Sequence, residues 1–580
     1  MESRTKHLVA AVAVGVVARA AVFNKVAVNG DTGLYLYDAK QLLWGRRLMV
    51  DFPSRSPVFE YALAGVLSLG QSPIVSARVF MATVGIALGI AIYAFTRTLH
   101  SHRSGLVAML FFYLSPFSLV WGLWVKTEQA AGLFVLVAFT IALWYLDRDQ
   151  LSTAVITILG LLFAVAFLIR RVAIVHVAAF ALFVFWYQYR QHDRVSRTII
   201  HATGVVSVMA AVLGIAYVAL ARGDLSVAVD IASQHAGSLV TSSGQGGIGY
   251  VPIQDPKAVT AEARDGLLFQ ICQKCGRNTV IVSLQTALVT SPVLVSLLVF
   301  IRSYTEEAGF WGQVVLPVAL VIPAALGGIQ AAFAGFYSRT VGAIALIATV
   351  VILWKLDIGD WKELWKPVYG LPVLVLLGLA AGYLYRDRIL YVTYFQDFYP
   401  YIVALASIAV VETVDRNRDI DVFRLTVITF VAMMFIATAS VNAYPYQTNE
   451  LDSDSHWFTI ELIQEYGDDI GRRTAPGERV LTAQPLYVIE TDRRIVSNLS
   501  RKYYLFEGWP GSPPTAAAEK DIIDDMDRAP VAIHDHELDR VLNHSDRIRS
   551  AFDSRYCPMD NELYNETGGE LYLKRSSDTC

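Results

Sequence analysis

The stretch LVAAVAVGVVARAAVFNKVAV, residues 8–28, decides the fold, because almost every side chain in it is apolar. A helix crosses the hydrocarbon core of a bilayer with roughly 20 consecutive apolar residues, and this stretch has that length. Arg19 and Lys25 are charged, and a charge inside such a helix must reach the interface or find a partner. No small-residue cleavage site follows the basic lead MESRTKH, so we expect a retained membrane helix.

Similar apolar stretches recur along the 580 residues of the chain, which is 54% hydrophobic and only 17% charged. A single soluble core could not accommodate that much apolar side chain. Short polar joints separate about 13 candidate spans, so the pattern predicts an α-helical polytopic membrane protein. The predicted spans are 8–28, 74–96, 105–123, 128–146, 151–169, 172–188, 198–220, 279–301, 311–332, 340–354, 368–385, 391–411 and 424–443.

The basic residues in the joints predict the orientation in the cell (plasma) membrane. Cytoplasmic loops carry an excess of Lys and Arg, and a cytoplasmic N-terminus puts most basic joints on that side. Arg46, Arg47, Arg386 and Arg388 are exceptions. An odd number of spans places the C-terminus outside, so the segments 29–73, 221–278 and 444–580 are predicted to face outward.

Composition changes sharply after residue 443, which predicts a transmembrane domain, 1–443, and a soluble extracytoplasmic domain, 444–580. The second domain contains an amphipathic helix around Trp457–Ile470 and the strand-like stretches RVLTA, PVAIHD and LYLKR. Helices between those strands predict a small α/β fold. The net charge of −3 indicates no nucleic-acid partner.

The outer segment 29–73 alternates aromatic, acidic and basic residues, unlike a simple connector. Asp31 lies just beyond the first span, and Tyr35 and Asp38 follow at helical spacing, which predicts one shared helix face. Long ordered loops of this kind usually carry function. The alternative is an interfacial amphipathic helix whose acids are simply solvated.

The same segment resembles a known family. After the first helix come an acid, a Tyr and an Ala on the next turn, a G-x-x-x-x-x-D stretch and then Arg55-Ser56-Pro57. This arrangement is similar to the multi-spanning GT-C glycosyltransferases, in the branch of the protein O-mannosyltransferases and the lipid A aminoarabinose transferases, with prokaryotic relatives that carry a similar outer tail. Relatives typically have Asp-Glu where this chain has Asp31-Thr32, and Lys-Pro-Pro where it has Arg55-Ser56-Pro57.

The resemblance implies inverting transfer of a monosaccharide, with a mannose-like hexose favoured, from polyprenyl or dolichyl phosphate to a glycan, lipid or protein acceptor. Asp31, by its match to the family acid, is the implied general base. The departing phosphate needs cations, and a guanidinium such as that of Arg55 suits it. Tyr35 and Asp38 are implied in the substrate cavity.

A second acid, Glu128, stands in WGLWVKTEQAAGLF. Relatives often carry an acid here, lining the same cavity, so we predict a catalytic role. The alternative is a helix cap, because the helix dipole favours a carboxylate at the N-terminus. Lys126 is a candidate for neutralising donor phosphate in this cavity, or else a partner of Glu128.

Other arginines are candidate ligands of the donor phosphate. Arg170 and Arg171 stand between apolar runs in FLIRRVAIVH, where headgroup anchoring is the alternative. Arg386, Arg388 and Tyr394 belong to YRDRILYVTYFQDFYPYIVALA, which is similar to the late basic-aromatic segment of the family; an aromatic belt is the alternative. A weaker candidate is Arg339 in GFYSRT.

Cysteine spacing favours a disulfide over a metal site. Cys272 and Cys275 form a CxxC in an outer loop, where oxidising conditions favour a local disulfide. No second CxxC or spaced His accompanies them, so zinc is not expected and no metal is indicated. Cys557 and Cys580 are a second candidate pair.

Two rival functions are a polymerase or ligase of lipid-linked oligosaccharides and a lipid or solute transporter or flippase. The first would also use outer acids and arginines. Transporters usually concentrate charges near the midplane in paired halves. This chain places its polar residues in outer loops without an obvious duplication, which favours a glycosyltransferase.

Overall fold

The computed structural model describes residues 2–240, 367–385, 395–416, 458–500 and 516–575, apart from residues 25, 53, 55, 71, 147, 149–151, 193, 194, 498, 544, 566 and 567. The predicted spans 279–301, 311–332, 340–354 and 424–443 lie outside the described residues, as does most of the outer segment 221–278.

Residues 2–416, where described, are almost entirely helical. The helices are α1 (Glu2–Val22), α2 (Gly30–Leu43), α3 (Pro57–Leu67), α4 (Pro73–Leu99), α5 (His102–Leu114), α6 (Pro116–Trp121), α7 (Thr127–Leu146), α8 (Thr153–Ile169), α9 (Ala173–His192), α10 (Val195–Leu220), α11 (Leu225–Val240), α12 (Gly370–Tyr385) and α13 (Phe395–Arg416). Within the described residues, four stretches are long and apolar enough to cross a membrane: Arg4–Val22, Pro73–Leu99, Thr127–Leu146 and Ile200–Leu220.

The predicted span 105–123 is not one helix, and that prediction was wrong. α5 ends at Leu114 and α6 begins at Pro116, with Ser115 in an extended conformation between them. Proline disfavours the helical conformation of the residue before it and has no N–H to continue the ladder. The chain is therefore redirected at Ser115, and the segment that follows α6 leads to the start of α7.

Glycines on α4 allow large side chains of α1 and α5 to pack closely against it. A Cβ at Gly85 would lie 2.8 Å from Nε of Arg19, and a Cβ at Gly89 would collide with the ring of Tyr113. The Arg19 guanidinium donates to Ser118 Oγ at 3.1 Å and lies 5.1 Å from the centre of the Tyr113 ring. A hydroxyl and an aromatic face thus stabilise a charge buried in the bundle.

Residues 458–575, called here the C-terminal segment, contain a mixed sheet flanked by helices. The elements are α14 (Ile460–Arg473), β1 (Arg479–Leu481), a 3₁₀ turn (Pro485–Val488), β2 (Arg494–Ile495), α15 (Ala516–Met526), β3 (Val531–His534), α16 (His536–Leu542), α17 (Asp546–Arg555), β4 (Tyr556–Met559), α18 (Glu562–Asn565) and β5 (Glu570–Lys574). The strand order is β2-β1-β3-β5-β4, with the first three strands parallel and the last three antiparallel.

The three predicted strand stretches contain β1, β3 and β5, and the predicted amphipathic helix corresponds to α14. Burial explains the agreement for β3, whose Val531, Ala532 and Ile533 are all inside the core. Sequence reasoning missed β2 and β4. β2 has only two residues, and β4 is an edge strand that contains Pro558, so neither has a recognisable period.

The C-terminal segment packs directly on the segment 29–73. Val28 and Phe458 exchange two backbone hydrogen bonds, at 2.6 and 3.1 Å. The N–H of Ile495 donates to the hydroxyl oxygen of Tyr37 at 2.7 Å, inside the protein. α2 is therefore held between the membrane helices and the sheet, and its position depends on both.

Lys40 of α2 is buried in this contact. Its ammonium donates to the carbonyl oxygen of Ile489 at 3.0 Å and to that of Thr491. Burial lowers the pKa of Lys40 to about 8, although the nearby carboxylates of Asp492 and Glu490 act in the opposite direction. The cost of desolvating the ammonium therefore exceeds its attraction to these carboxylates. Its main role in the contact is to hold the carbonyl groups of Ile489 and Thr491 in place.

Glu490 connects the same turn to the start of α4. Its Oε1 accepts hydrogen bonds from Ser72 Oγ at 2.8 Å and from the N–H of Ile74 at 3.0 Å. A carboxylate here satisfies a free N–H of the first helical turn and interacts favourably with the helix dipole. The C-terminal segment therefore contacts both α2 and α4 through polar groups.

Candidate active site at the start of α2 and α7

Helix α2 begins with a capped turn that presents Asp31. The side chain of Asn29 accepts the N–H of Thr32 at 3.1 Å, which starts α2 and puts Asp31 in its first turn. The Asp31 carboxylate lies 2.9 Å from the ammonium of Lys126, with 55% of the Asp31 side chain exposed and only 12% of Lys126. Asp31 therefore pairs with a mostly buried cation while one side of it stays open to solvent.

Lys126 stands one residue before α7, between two acids. Burial acts to lower its pKa, but the charges of Asp31 and Glu128 outweigh burial, so the pKa of the ammonium is raised. Lys126 is therefore a fixed cation at neutral pH and above. The pairing of Lys126 with Glu128 that the sequence offered is not the ion pair that forms: Lys126 pairs with Asp31, and Glu128 pairs with Arg170.

Thr32 connects the two helix starts. Its hydroxyl donates to Asn29 Oδ1 at 2.9 Å and accepts the N–H of Val125 at 3.3 Å. The side chain is buried, so this contact is shielded from water. The hydroxyl of Thr32 thus fixes the segment that carries Lys126 against α2.

Glu128, at the start of α7, belongs to a buried network centred on Arg170. Its Oε1 lies 3.0 Å from Arg170 Nη1, and Asp397 Oδ2 lies 2.8 Å from Nη2 of the same guanidinium. The side-chain exposures of Arg170, Glu128 and Asp397 are 13%, 4% and 5%. Thr127 Oγ1 also accepts from Nη1, at 3.4 Å. One guanidinium thus joins α7, the α8–α9 turn and α13.

This network excludes a simple cap as the whole account of Glu128. A capping carboxylate would be solvated and would accept N–H groups of its own helix. Glu128 is instead buried, and its Oε2 has no hydrogen-bond partner in the part of the chain that the structure describes. A small cavity borders the network between α4, α7, α9 and α13, and its wall includes Leu88, Gly132, His176, Gln396, Pro400 and Tyr401.

The other predicted site residues are distributed around this centre. Tyr35 packs edge-on against Phe59, with ring centres 5.3 Å apart. Asp38 is fully buried and accepts from Gln41 at 3.3 Å. Arg171 lies on the α8–α9 turn and interacts electrostatically with Tyr217 of α10.

The remaining candidates lie outside the described residues: Arg55, Arg339, Arg386, Arg388, Tyr394, Cys272 and Cys275. Cys557 is disulfide-bonded, and the other three cysteines are not among the described residues. The described ranges contain no group of three or more side chains suited to hold a metal ion.

Sequence reasoning missed Asp397, His176 and Gln396. A signal for two of them was present, because Asp397 falls inside the predicted span 391–411 and His176 inside the predicted span 172–188. An ionisable residue within a membrane span is expensive and marks a functional site by default. Neither residue was proposed, because the candidate residues were sought mainly in the segments between the predicted spans.

Comparison with protein families gives a match over part of the chain. Residues 54–217 match the family described as dolichyl-phosphate-mannose-protein mannosyltransferase. The resemblance to the GT-C glycosyltransferases is confirmed. The matched stretch contains Lys126, Glu128 and Arg170, and it begins after Asp31. No curated protein matches the chain.

Among solved structures, the chain is similar to the oligosaccharyltransferase of Archaeoglobus fulgidus in its apo form. The identity is 12%, the match covers 99% of this chain and 75% of that chain, and the TM-score is 0.48. A structure of the archaeal oligosaccharyltransferase AglB from Archaeoglobus fulgidus, in complex with an inhibitory peptide and a dolichol-phosphate, has 12% identity, the same coverage and a TM-score of 0.41.

Proposed function

We propose that this protein is an inverting membrane glycosyltransferase. It transfers a monosaccharide, with a mannose-like hexose favoured, from a polyprenyl or dolichyl phosphate to a hydroxyl of a glycan, lipid or protein at the outer membrane face. The observation that carries the proposal is the pairing of two carboxylates with two cations, Asp31 with Lys126 and Glu128 with Arg170, in and beside a stretch that matches the mannosyltransferase family.

The exposure of Asp31 suits a general base. An acceptor that arrives from outside must reach the carboxylate, and more than half of the Asp31 side chain is exposed. The ammonium of Lys126, 2.9 Å away, compensates the negative charge of the carboxylate. A buried acid such as Glu128 could not receive a bulky acceptor without rearrangement.

The proposed step is a single displacement. Asp31 accepts the proton of the acceptor hydroxyl, and the hydroxyl oxygen forms a bond to the anomeric carbon. The bond from that carbon to the phosphate oxygen breaks, and its electron pair leaves with the phosphate. Attack from the face opposite the phosphate inverts the anomeric configuration. Glu128 provides negative charge near the oxocarbenium-like centre.

The phosphate that departs is already a weak base, so it needs cations rather than a proton donor. Lys126 is a point charge at the outer end, and Arg170 can bind a phosphate with two parallel hydrogen bonds. In the structure Arg170 forms ion pairs with Glu128 and Asp397, so a phosphate can bind to Arg170 only if one of these two ion pairs breaks. Arg55, Arg171, Arg339, Arg386 and Arg388 remain proposed additional ligands.

Transfer from a panel of radiolabelled polyprenyl-phosphate sugars, in membranes that contain the protein, tests the proposal. We expect one hexose donor to label an acceptor, and Asp31→Asn to reduce transfer by at least 100-fold while the protein remains in the membrane. Asp51→Asn is the matched control, because Asp51 lies in the same outer segment and pairs with Arg47 at 2.9 Å, away from Lys126. Transfer by Asp31→Asn at the wild-type rate would exclude Asp31 as the base, and no transfer from any donor would exclude the function.

A further inference from the structure

The cavity beside Arg170 contains two buried oxygen atoms that lack a donor. They are Oε2 of Glu128 and Oε1 of Gln396, and neither has a hydrogen-bond partner among the described residues. Both residues line the cavity, and their exposures are only 4% and 6%. Leaving a buried acceptor unpaired costs about 1–3 kcal/mol, so two of them at one cavity indicate a ligand that donates.

The two oxygens are held in place by the other ends of their side chains. Arg170 binds Oε1 of Glu128 at 3.0 Å, so Oε2 is the atom left for the cavity. The amide nitrogen of Gln396 donates to the carbonyl oxygen of Trp121 at 3.4 Å, which fixes the direction of its Oε1. Because each side chain is anchored, the acceptors are positioned before any ligand arrives.

The size of the cavity limits the group that can enter. The enclosed space is about that of a single water molecule, so it excludes a sugar ring or a phosphate and admits one hydroxyl. A hydroxyl donates one hydrogen bond to Glu128 Oε2 or to Gln396 Oε1. In the free protein a water molecule suits the same position.

The location of the cavity points to the donor substrate. Arg170 lies in its wall, and the proposed function places the donor phosphate at Arg170 and Lys126. A sugar attached to that phosphate is therefore next to the cavity, with a ring hydroxyl as the nearest group that donates. We propose that Glu128 and Gln396 form a specificity pocket for one hydroxyl of the donor monosaccharide; this inference depends on the proposed function.

The test compares donors that differ by one hydroxyl. Polyprenyl-phosphate mannose, or the hexose found active in the panel, is assayed beside its 2-, 3-, 4- and 6-deoxy analogues. With wild-type protein, one analogue is expected to lose about 10- to 100-fold in kcat/KM, because without its hydroxyl the anchored acceptor that this hydroxyl pairs with is left unpaired. The other analogues are expected to lose much less.

Gln396→Met tests whether the pocket causes this discrimination. Methionine keeps a similar length without the amide oxygen, so the variant should transfer the parent sugar more slowly and discriminate against the same analogue by less than about threefold. The matched control is Gln129→Met, another buried glutamine, on α7, that is not in the cavity wall. This control should discriminate as the wild type does.

The possible failures are distinguishable. If no donor is transferred by the wild type, the proposed function itself fails. If the wild type transfers the hexose but treats all deoxy analogues alike, or if Gln396→Met keeps the full discrimination, the pocket binds only water and the inference is overturned. Should Gln396→Met not accumulate in membranes, Gln396→Leu, which also lacks the amide oxygen, takes its place with the same expected outcome and the same result that would overturn the inference.

Discussion

The strongest prediction concerns the charge balance of the buried network. In Arg170→Met, the carboxylates of Glu128 and Asp397 lose the guanidinium that lies 3.0 and 2.8 Å from them. Removing one partner of a buried ion pair costs about 3–5 kcal/mol, because it leaves a charge without compensation. Here one cation serves two carboxylates of low exposure, so we expect the upper end of that range.

A second variant separates the charge from the packing. The triple variant Arg170→Met, Glu128→Gln, Asp397→Asn removes all three charges and keeps similar shapes. Replacing a complete buried ion network by neutral groups is often close to neutral for stability. The triple variant should therefore unfold at a higher temperature than Arg170→Met alone, although it carries more substitutions.

The assay is the temperature at which half of the detergent-solubilised protein leaves the monodisperse peak in size-exclusion chromatography. Arg47→Met is the matched control, because its ion pair with Asp51, at 2.9 Å, is largely exposed and exposed pairs contribute little, so we expect a much smaller decrease. The reasoning is refuted if Arg170→Met unfolds within about 1 °C of the wild type, or if the triple variant is less stable than the single one.

Three further predictions follow from the contact of α2 with its neighbours. Lys40 has a pKa of about 8 when folded, below its usual value, so the unfolded state binds more protons above pH 8 and the contribution of Lys40 to stability rises with pH. The free energy of unfolding of the wild type relative to Lys40→Met should rise by on the order of 3 kcal/mol at full titration. The difference between their unfolding temperatures should therefore grow from pH 7.5 to pH 10, and a constant difference would contradict this. Tyr37→Phe removes the acceptor of the buried Ile495 N–H and should cost about 1–3 kcal/mol, seen as faster proteolysis of the C-terminal segment. Thr32→Val should lower kcat about 10-fold with little change in KM, because Val125 loses its hydroxyl partner while the fold is kept; Thr32→Ser should restore the rate.

Local patterns in the sequence predicted the elements but not their assembly. The apolar runs around α4, α7 and α10 are long and continuous, so hydropathy alone identified them. The break at Ser115 and Pro116 was overlooked because a hydropathy window does not weigh a single proline. Strands β1, β3 and β5 were found by their β-branched and aromatic residues, whereas the short edge strands β2 and β4 lack such a pattern.

For the candidate site, the resemblance to a family proposed Asp31 and Glu128, with Lys126 as a charged neighbour, and the cost of charges between apolar runs proposed Arg170. The sequence did not predict which of these residues form ion pairs with each other. Lys126 is two residues from Glu128 yet pairs with Asp31, which lies far away along the chain. Pairing depends on how helices from distant parts of the chain are brought together, and that depends on packing.

The sequence by itself determined that the chain has long apolar helices suited to a membrane, gave the bounds of α4, α7 and α10 to within a few residues, and showed that Asp31 and Glu128 stand near the ends of apolar stretches. These properties are local, because hydrophobicity and helix capping act over one or two turns. Only the tertiary structure decided that Asp397 joins Glu128 at one guanidinium and that Gln396 directs an unpaired oxygen into the same cavity. Those contacts join α7, the α8–α9 turn and α13, and only the packing of distant segments makes them neighbours.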